Sequence, residues 1–299
     1  MGHAALDRVY SVESWPAASA KIAARAFSES GGGMAANAAV AIARLGCEAE
    51  FWGPTGADGV AEVIRAQLAG ERVDVDNLRG FHGKSSSHSA VLVDAGGERL
   101  VVGHRGSALQ AAAEWLPLAR VATAGALLAD VRWPAGAAAA LRAARRAGIA
   151  AILDGEVAEA GVLEELVGHA DHAIFSERGL AAYCEGEPAD GLRKALSAGA
   201  RVAAVTCGAA GVLWIEADAP QHMRICPAFP VPAVDTLAAG DVFHGAYALA
   251  VSEGQTIEQA IRFGAAAAAI KCSRPGGRQG APTLEEVELL LAANPERRA

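Results

Sequence analysis

Short apolar runs alternating with amphipathic stretches constrain the fold of this 299-residue chain more than any other feature. Ala126-Leu127-Leu128-Ala129, Ala150-Ala151-Ile152-Leu153, His172-Ala173-Ile174-Phe175 and Val202-Ala203-Ala204-Val205 have no polar alternation and are bounded like strands buried on both faces. Residues 135–147 and 192–198, lying between such runs, are amphipathic with helical spacing. Strand, crossover helix and parallel strand make a βαβ unit. From about Gly106 onward the chain therefore predicts a doubly wound, mostly parallel α/β sheet flanked by helices. Ligands of such a sheet bind beyond the carboxyl ends of its strands, which directs attention to Asp130, Asp154, Ser176 and Thr206.

Two earlier regions break this rhythm. Segments 8–30 and 84–105 alternate in residue type without a helical period and predict antiparallel strands, separated in sequence by core residues 31–81. With 52% hydrophobic residues the chain can bury a large core, so one domain over 1–299 with a small β appendage is expected. A net charge of −8 argues against general nucleic-acid affinity, which rests on basic contacts to phosphates. Five scattered cysteines without C-x-x-C spacing indicate neither a disulfide framework nor a zinc site, and predict reduced thiols in a cytoplasm. No apolar run reaches about eighteen residues and no signal peptide is evident, so neither a membrane partner nor secretion is predicted.

The chemistry concentrates in Asp235-Thr236-Leu237-Ala238-Ala239-Gly240-Asp241-Val242-Phe243-His244-Gly245-Ala246. Ala238, Ala239 and Gly240 leave backbone N–H groups open at the start of a helix predicted over 242–251, and such a helix end favours phosphate. Asp241 could accept a proton from an attacking hydroxyl while those N–H groups stabilise charge on a transferred phosphoryl group. The alternative is an ordinary Asp stabilising the N-terminus of a buried helix. A second Gly-rich element, Gly31-Gly32-Gly33-Met34-Ala35-Ala36-Asn37, precedes an Ala-rich helix predicted to run to about Leu45 and stop at Gly46. Its glycines suit a hinge, or simply a tight turn.

Together these elements resemble the paired signatures of the ribokinase, or PfkB, family of carbohydrate kinases. The first matches from Gly32 through Asn37 and Gly46 to Gly56, and the second from Asp235 to Ala248. The resemblance covers nearly the whole chain, and implies a ribokinase-like sheet with a β-sheet lid formed by the segments near 8–30 and 84–105. The family's opening apolar strand has no counterpart before Gly2–Asp7, so that strand is expected to be missing from this sequence.

The resemblance implies an ATP-dependent sugar kinase with Asp241 as catalytic base and Ala238, Ala239 and Gly240 as the anion hole. Asp7, Gly32, Gly33 and Asn37 would bind sugar, and Thr206, Gly208 and Gly211 would form the nucleotide loop. Mg²⁺ is expected with ATP. The family's Asn-x-x-Glu element, which organises that ion, reads here Ser176-Glu177-Arg178-Gly179, leaving Glu177 or Asp154 as substitutes. K⁺ would be held by carbonyls of Asp235, Leu237, Lys271, Arg274, Gly276 and Gly280, and a homodimer through the lid is implied.

Within the family, the sulfofructose kinases match through Lys84-Ser85-Ser86-Ser87, Leu128-Ala129-Asp130-Val131-Arg132-Trp133 and Cys272-Ser273-Arg274-Pro275-Gly276-Gly277-Arg278. Lys21 and Arg132 stand where that subgroup contacts the sulfonate, whereas its third contact, an Asn, is Gly103 here. Phosphate could use the same two cations, while Arg132 could instead pair with Glu156. The expected substrate is a ketose-like sugar phosphorylated at a primary hydroxyl, with sulfofructose or a sugar phosphate as candidates. Ribokinase activity, nucleoside kinase activity and a non-catalytic sugar or nucleotide sensor are the alternatives.

Overall fold

The computed structural model describes residues 1–14, 19–96 and 98–295. Residues 15–18 and 97, inside the two expected lid segments, lie outside the described residues. Two larger sheets organise the chain. The first has the order β2-β1-β7-β8 and is made from β1 (Ala5–Ser11), β2 (Ala26–Gly32), β7 (Ser87–Val93) and β8 (Arg99–His104). The hairpins β1·β2 and β7·β8 are antiparallel, but the central pair β1·β7 is parallel. The purely antiparallel expectation is thus corrected, and the reason is the intervening core segment. Its long excursion returns the chain to β7 in the direction of β1, as a parallel pair requires.

That excursion carries α1 (Met34–Arg44), the short strands β3 (Ala49–Glu50), β4 (Gly53–Gly56), β5 (Val73–Asp74) and β6 (Leu78–Phe81), and α2 (Gly59–Gly70). Helix α1 ends at Arg44 with Leu45 as its C-cap, and Gly46 takes φ 89°, as its sequence position predicts. Asp58 caps α2 by accepting from the Ala61 N–H at 2.9 Å. Ser86, in the Lys84–Ser87 run, binds the same carboxylate through its N–H and Oγ, fixing the entry to β7.

The second sheet has the order β14-β13-β12-β11-β10-β9. Its strands β9 (Ala126–Asp130), β10 (Ala150–Gly155), β11 (His172–Ser176) and β12 (Val202–Thr206) run parallel, as their apolar runs predict. Strands β13 (Val212–Glu216) and β14 (Arg224–Cys226) extend it antiparallel. Beyond β9 the sheet direction continues through Met1–Gly2. Met1 N donates to Leu128 O at 2.6 Å, Asp130 N to Met1 O at 3.3 Å, and Gly2 N to Trp52 O at 2.9 Å.

Side chains alternate across this sheet, which explains its two covered faces. Leu153, Ala173, Phe175, Ala203 and Val205 pack on one side with α3 (Pro134–Ala147), α4 (Val162–Val167), α5 (Glu177–Tyr183) and α6 (Pro188–Ser197). Ile152, Ile174 and Ala204 pack on the other with α1, α7 (Ala239–Ser252) and α8 (Ile257–Cys272). A final helix, α9 (Leu284–Ala292), packs on α8. The alanines are what let helices approach closely. A Cβ on Gly245 of α7 would come within 2.6 Å of Ala38 O in α1, so only glycine permits that spacing.

Candidate active site

Helix α7 opens at Ala238, a non-glycine residue at φ 64°, with no side-chain cap. This left-handed conformation is strained for alanine and persists only where its surroundings enforce it. The first N–H groups of a helix lack intrahelical acceptors. Ala239 N spends its donor on Thr236 O at 3.2 Å, while Gly240 is exposed and has open space where a Cβ would stand. A polyanion can therefore approach the helix end with little steric resistance.

One turn in, Asp241 is the third residue of α7 and accepts a 2.7 Å hydrogen bond from Asn37 Nδ2. Burial raises its carboxyl to about 7, and the nearby Asp154 charge adds to this. The Asn37 donor and His244 act in the opposite direction. A carboxyl near 7 is poised for proton transfer at neutral pH. Asn37 is buried on α1, and its Oδ1 has no partner among the described residues. A buried amide oxygen without a donor is uncommon, and a sugar hydroxyl would supply one.

Asp154, at the end of β10, is itself pushed well up by burial and by Asp130. It lies 3.6 Å from Nε2 of buried His244, whose burial lowers its own affinity for a proton. Burial thus disfavours the charged form of both Asp154 and His244, which stand close enough to Asp241 to act on its carboxyl. Asp130 has a connecting role that its strand-end position only suggests. Its carboxylate accepts from His3 N at 2.7 Å, Ala35 N at 3.1 Å and Arg132 N at 2.8 Å, tying the N-terminal segment, the start of α1 and the β9 loop together.

The lid sheet contributes a polar row. Ser30, Asp7, Ser89 and Gly103 are register partners across its four strands, so their side-chain positions share one face. Ser89 Oγ donates to Asp7 Oδ1, and a Cβ on Gly32 would stand 2.6 Å from Asp7 Oδ2. Gly32 thus makes room for Asp7. Gly33, at φ 95°, precedes α1 where a Cβ would overlap the His3 carbonyl, and its own carbonyl accepts Asn37 N at 2.8 Å. Both glycines are required by close approach, which accounts for their presence without a hinge.

The predicted cationic contacts divide. Arg132 is half-buried and donates through Nη1 to Val157 O at 3.0 Å, so the Glu156 pairing is replaced by a backbone contact. Arg105 supports it by donating to Arg132 O at 3.1 Å. Lys21 is exposed in the connection between β1 and β2, and no contact among the described residues joins it to Asp7 or Arg132. His3 was not apparent as a site residue. It is half-buried, its enclosed Nε2 is unpartnered among the described residues, and desolvation lowers its pKa, with Asp130 opposing and Arg132 and Arg105 reinforcing.

In the expected nucleotide loop, Thr206 ends β12 and its Oγ1 donates to Phe175 O at 3.3 Å. Gly208 is exposed with open space around it, whereas Gly211 lies against the Cys226 carbonyl of β14. Gly208 is free to meet a ligand, while Gly211 serves backbone packing. At the altered Asn-x-x-Glu element, Ser176 Oγ caps α5 through Gly179 N at 2.9 Å. A Cβ on Gly179 would overlap the Gly155 carbonyl oxygen, so this backbone closes the position to glutamate. No group of three or more His, Cys, Asp or Glu residues suited to a metal occurs among the described residues. A cavity of about 400 Å³ lined by Arg105, Ser107, Pro134 and Glu159 includes none of the candidate residues Asp7, Asn37 or Asp241 in its wall.

The uncapped helix end, the partly buried Asn37–Asp241 pair and the polar lid row make up the candidate site. The pfkB family carbohydrate kinase model matches residues 1–284, and the chain belongs to that family of sugar kinases. An ATP-dependent ribose-1-phosphate kinase of Halopiger xanaduensis is 30% identical over 97% of this chain and 96% of its own length. Ribokinase of Haemophilus influenzae is 30% identical over 85% of each chain. Among solved structures, a putative ribokinase from Agrobacterium tumefaciens is 37% identical with TM-score 0.91, covering 99% of this chain and 97% of that one. Arabidopsis thaliana ribokinase, solved with ribose and ATP, is 25% identical with TM-score 0.85, covering 97% and 96%.

Proposed function

We propose that this sugar kinase uses ATP to phosphorylate the primary hydroxyl of a furanose-like sugar that carries an anionic group. The partly buried Asn37–Asp241 hydrogen bond at the mouth of an uncapped helix carries the reading. Asp241 takes the hydroxyl proton as the sugar oxygen forms its bond to the γ-phosphorus, and the bond to the β-phosphate oxygen breaks. The N–H groups at Ala238 and Gly240 meet the charge that develops, while the Ala239 N–H, bonded to Thr236 O, shapes the turn that presents them. Asn37 Oδ1 and the Asp7 carboxylate hold sugar hydroxyls, and closure of the lid sheet excludes water.

Thr206 and Gly208 serve the nucleotide, with Gly211 shaping the turn. Mg²⁺ would neutralise phosphate charge and be held mainly by the phosphates and water, as this ion prefers, with Asp154 and Glu177 as outer partners. Arg132, Arg105 and His3 cluster at the end of β9 and support an anion on the sugar. The ribose-1-phosphate kinase relative accords with that charge. A ketose such as sulfofructose or fructose 6-phosphate remains the second reading, because Arg132 commits only one of its five N–H donors to Val157.

Exposed Val101, Val102 and Leu100 on edge strand β8 suit pairing with a second copy. Its cysteine usage suits a cytoplasmic location, and no described helix is long and apolar enough to cross a membrane. The deciding experiment is a coupled ADP-release assay on ribose, ribose 1-phosphate, fructose 6-phosphate, sulfofructose and adenosine. Preference for an anionic sugar supports the proposal; preference for neutral ribose or adenosine removes the anionic part, and turnover of none removes the sugar-kinase reading.

A further inference from the structure

Lys271, in the last turn of α8, has no exposed surface. An ammonium withdrawn from water must be paid for by partners. Its Nζ donates to Asp235 O at 2.6 Å and Arg274 O at 3.4 Å, and stands 3.5 Å from Asp235 Oδ2. Those carbonyls come from the two segments, before α7 and after α8, that the sequence resemblance assigns to a potassium cage. A free cation does not fit that cage here. Two more of the six expected carbonyls are also engaged, Lys271 O with Arg274 N at 3.0 Å and Gly276 O with Gln279 N at 3.1 Å. A second cation a few ångströms from the buried ammonium would meet strong repulsion.

We propose that the Lys271 ammonium is a built-in monovalent cation, so that this enzyme works without potassium. Ammonium and potassium carry the same charge and are similar in size, and a side chain attached to α8 cannot diffuse away. The ammonium also connects the end of α8 to the loop that opens α7. In that loop the Asp235 carboxylate accepts Leu237 N at 3.0 Å, Gly276 N at 3.0 Å and Gly277 N at 3.3 Å. Burial acts to raise this carboxyl, but those donors and Lys271 together hold it at about 2. Only Thr236 and Leu237 separate this anchored residue from strained Ala238. Lys271 is therefore a positioning residue for the anion hole, acting through Asp235 without touching substrate.

The inference rests on the phosphoryl-transfer reading for its effect on rate, but cation binding can be measured without turnover. Thermal melts of the ligand-free protein in KCl and choline chloride at equal ionic strength should coincide for the wild type. Lys271→Ala empties the position, and its melting temperature should rise in KCl over choline chloride. In the sugar assay, wild-type turnover should differ by less than about twofold between the salts once screening is matched. Lys271→Ala should lose roughly tenfold or more in choline, the scale of a charge-assisted bond, and recover in KCl or NH₄Cl. Potassium-specific stabilisation of the wild type, or its activation by more than about tenfold, would overturn the proposal, as would a folded Lys271→Ala indifferent to potassium. If that variant does not fold, the two wild-type measurements decide alone. Absence of turnover on every sugar would instead count against the function, leaving the melts to test the cation.

Discussion

Replacing Asp241 by Asn keeps the side-chain shape and an oxygen for the Asn37 donor, but removes the base and the buried charge together. The carboxyl rises from 3.8 to about 7 on folding, so the native state binds its proton more tightly than the unfolded chain. Between those values folding takes up protons, and stability falls as pH rises. The full shift corresponds to about 4 kcal/mol of destabilisation once the group is ionised in both states. The expected outcome is an inactive but more stable variant. Its stability advantage in urea titrations should grow by about 1.4 kcal/mol per pH unit from 5 toward 7, then level off. Turnover should fall on the order of 10²- to 10⁴-fold while ATP affinity is retained by isothermal titration. For the wild type, kcat/KM should rise with pH and reach a plateau above about 7. A stability difference that stays flat from pH 5 to 8.5 would refute the buried-carboxylate reasoning, and near-normal turnover would refute the assignment of the base.

Asn37→Ala removes a donor that lowers the Asp241 pKa, so the rise of kcat/KM with pH should move to higher pH and the sugar KM should increase; steady-state pH profiles check both. Gly179→Ala should cost about 1 to 3 kcal/mol or more in chemical melts, because its Cβ would overlap Gly155 O, and Gly179→Glu should not restore a metal-organising glutamate. Arg132→Ala should raise KM for an anionic sugar roughly ten- to a hundredfold and leave a neutral sugar nearly unchanged, measured in parallel assays. Gly103→Asn should favour sulfofructose over fructose 6-phosphate if the row through Asp7 and Ser89 meets the sugar's far end; an unchanged ratio would detach selectivity from that row.

The parallel strands were legible because each is buried on both faces, which leaves a continuous apolar run such as Ala150–Leu153. Strand β14 was less distinct, since it has only three residues and opens on exposed Arg224 at the sheet edge. Asp241 and Asn37 could be found because motif spacing specifies them, and the structure brings them together across 204 positions of sequence. What the sequence concealed was reach. Nothing in Lys271-Cys272 indicates that the lysine turns inward to backbone carbonyls, since carbonyl acceptors have no residue signature. The parallel lid pair was hidden for a related reason: alternation reports which face is buried, but carries no strand direction.

That parallel pair bears on how the molecule assembles. β1 ends at Ser11 and β7 starts at Ser87, and the chain between them includes α1, with Asn37, as well as α2. The middle of the lid can close its ladder only after this segment has been laid down, so its formation carries the entropy of closing a long loop. The lid is consequently a late and dependent element of folding. In a native-state hydrogen-exchange experiment, β1 and β7 amides should open no later than those of α1. A variant that frays α1 should release the whole lid sheet with it, so a lesion beside Asn37 and Asp241 would be read first as lost protection at the lid's centre.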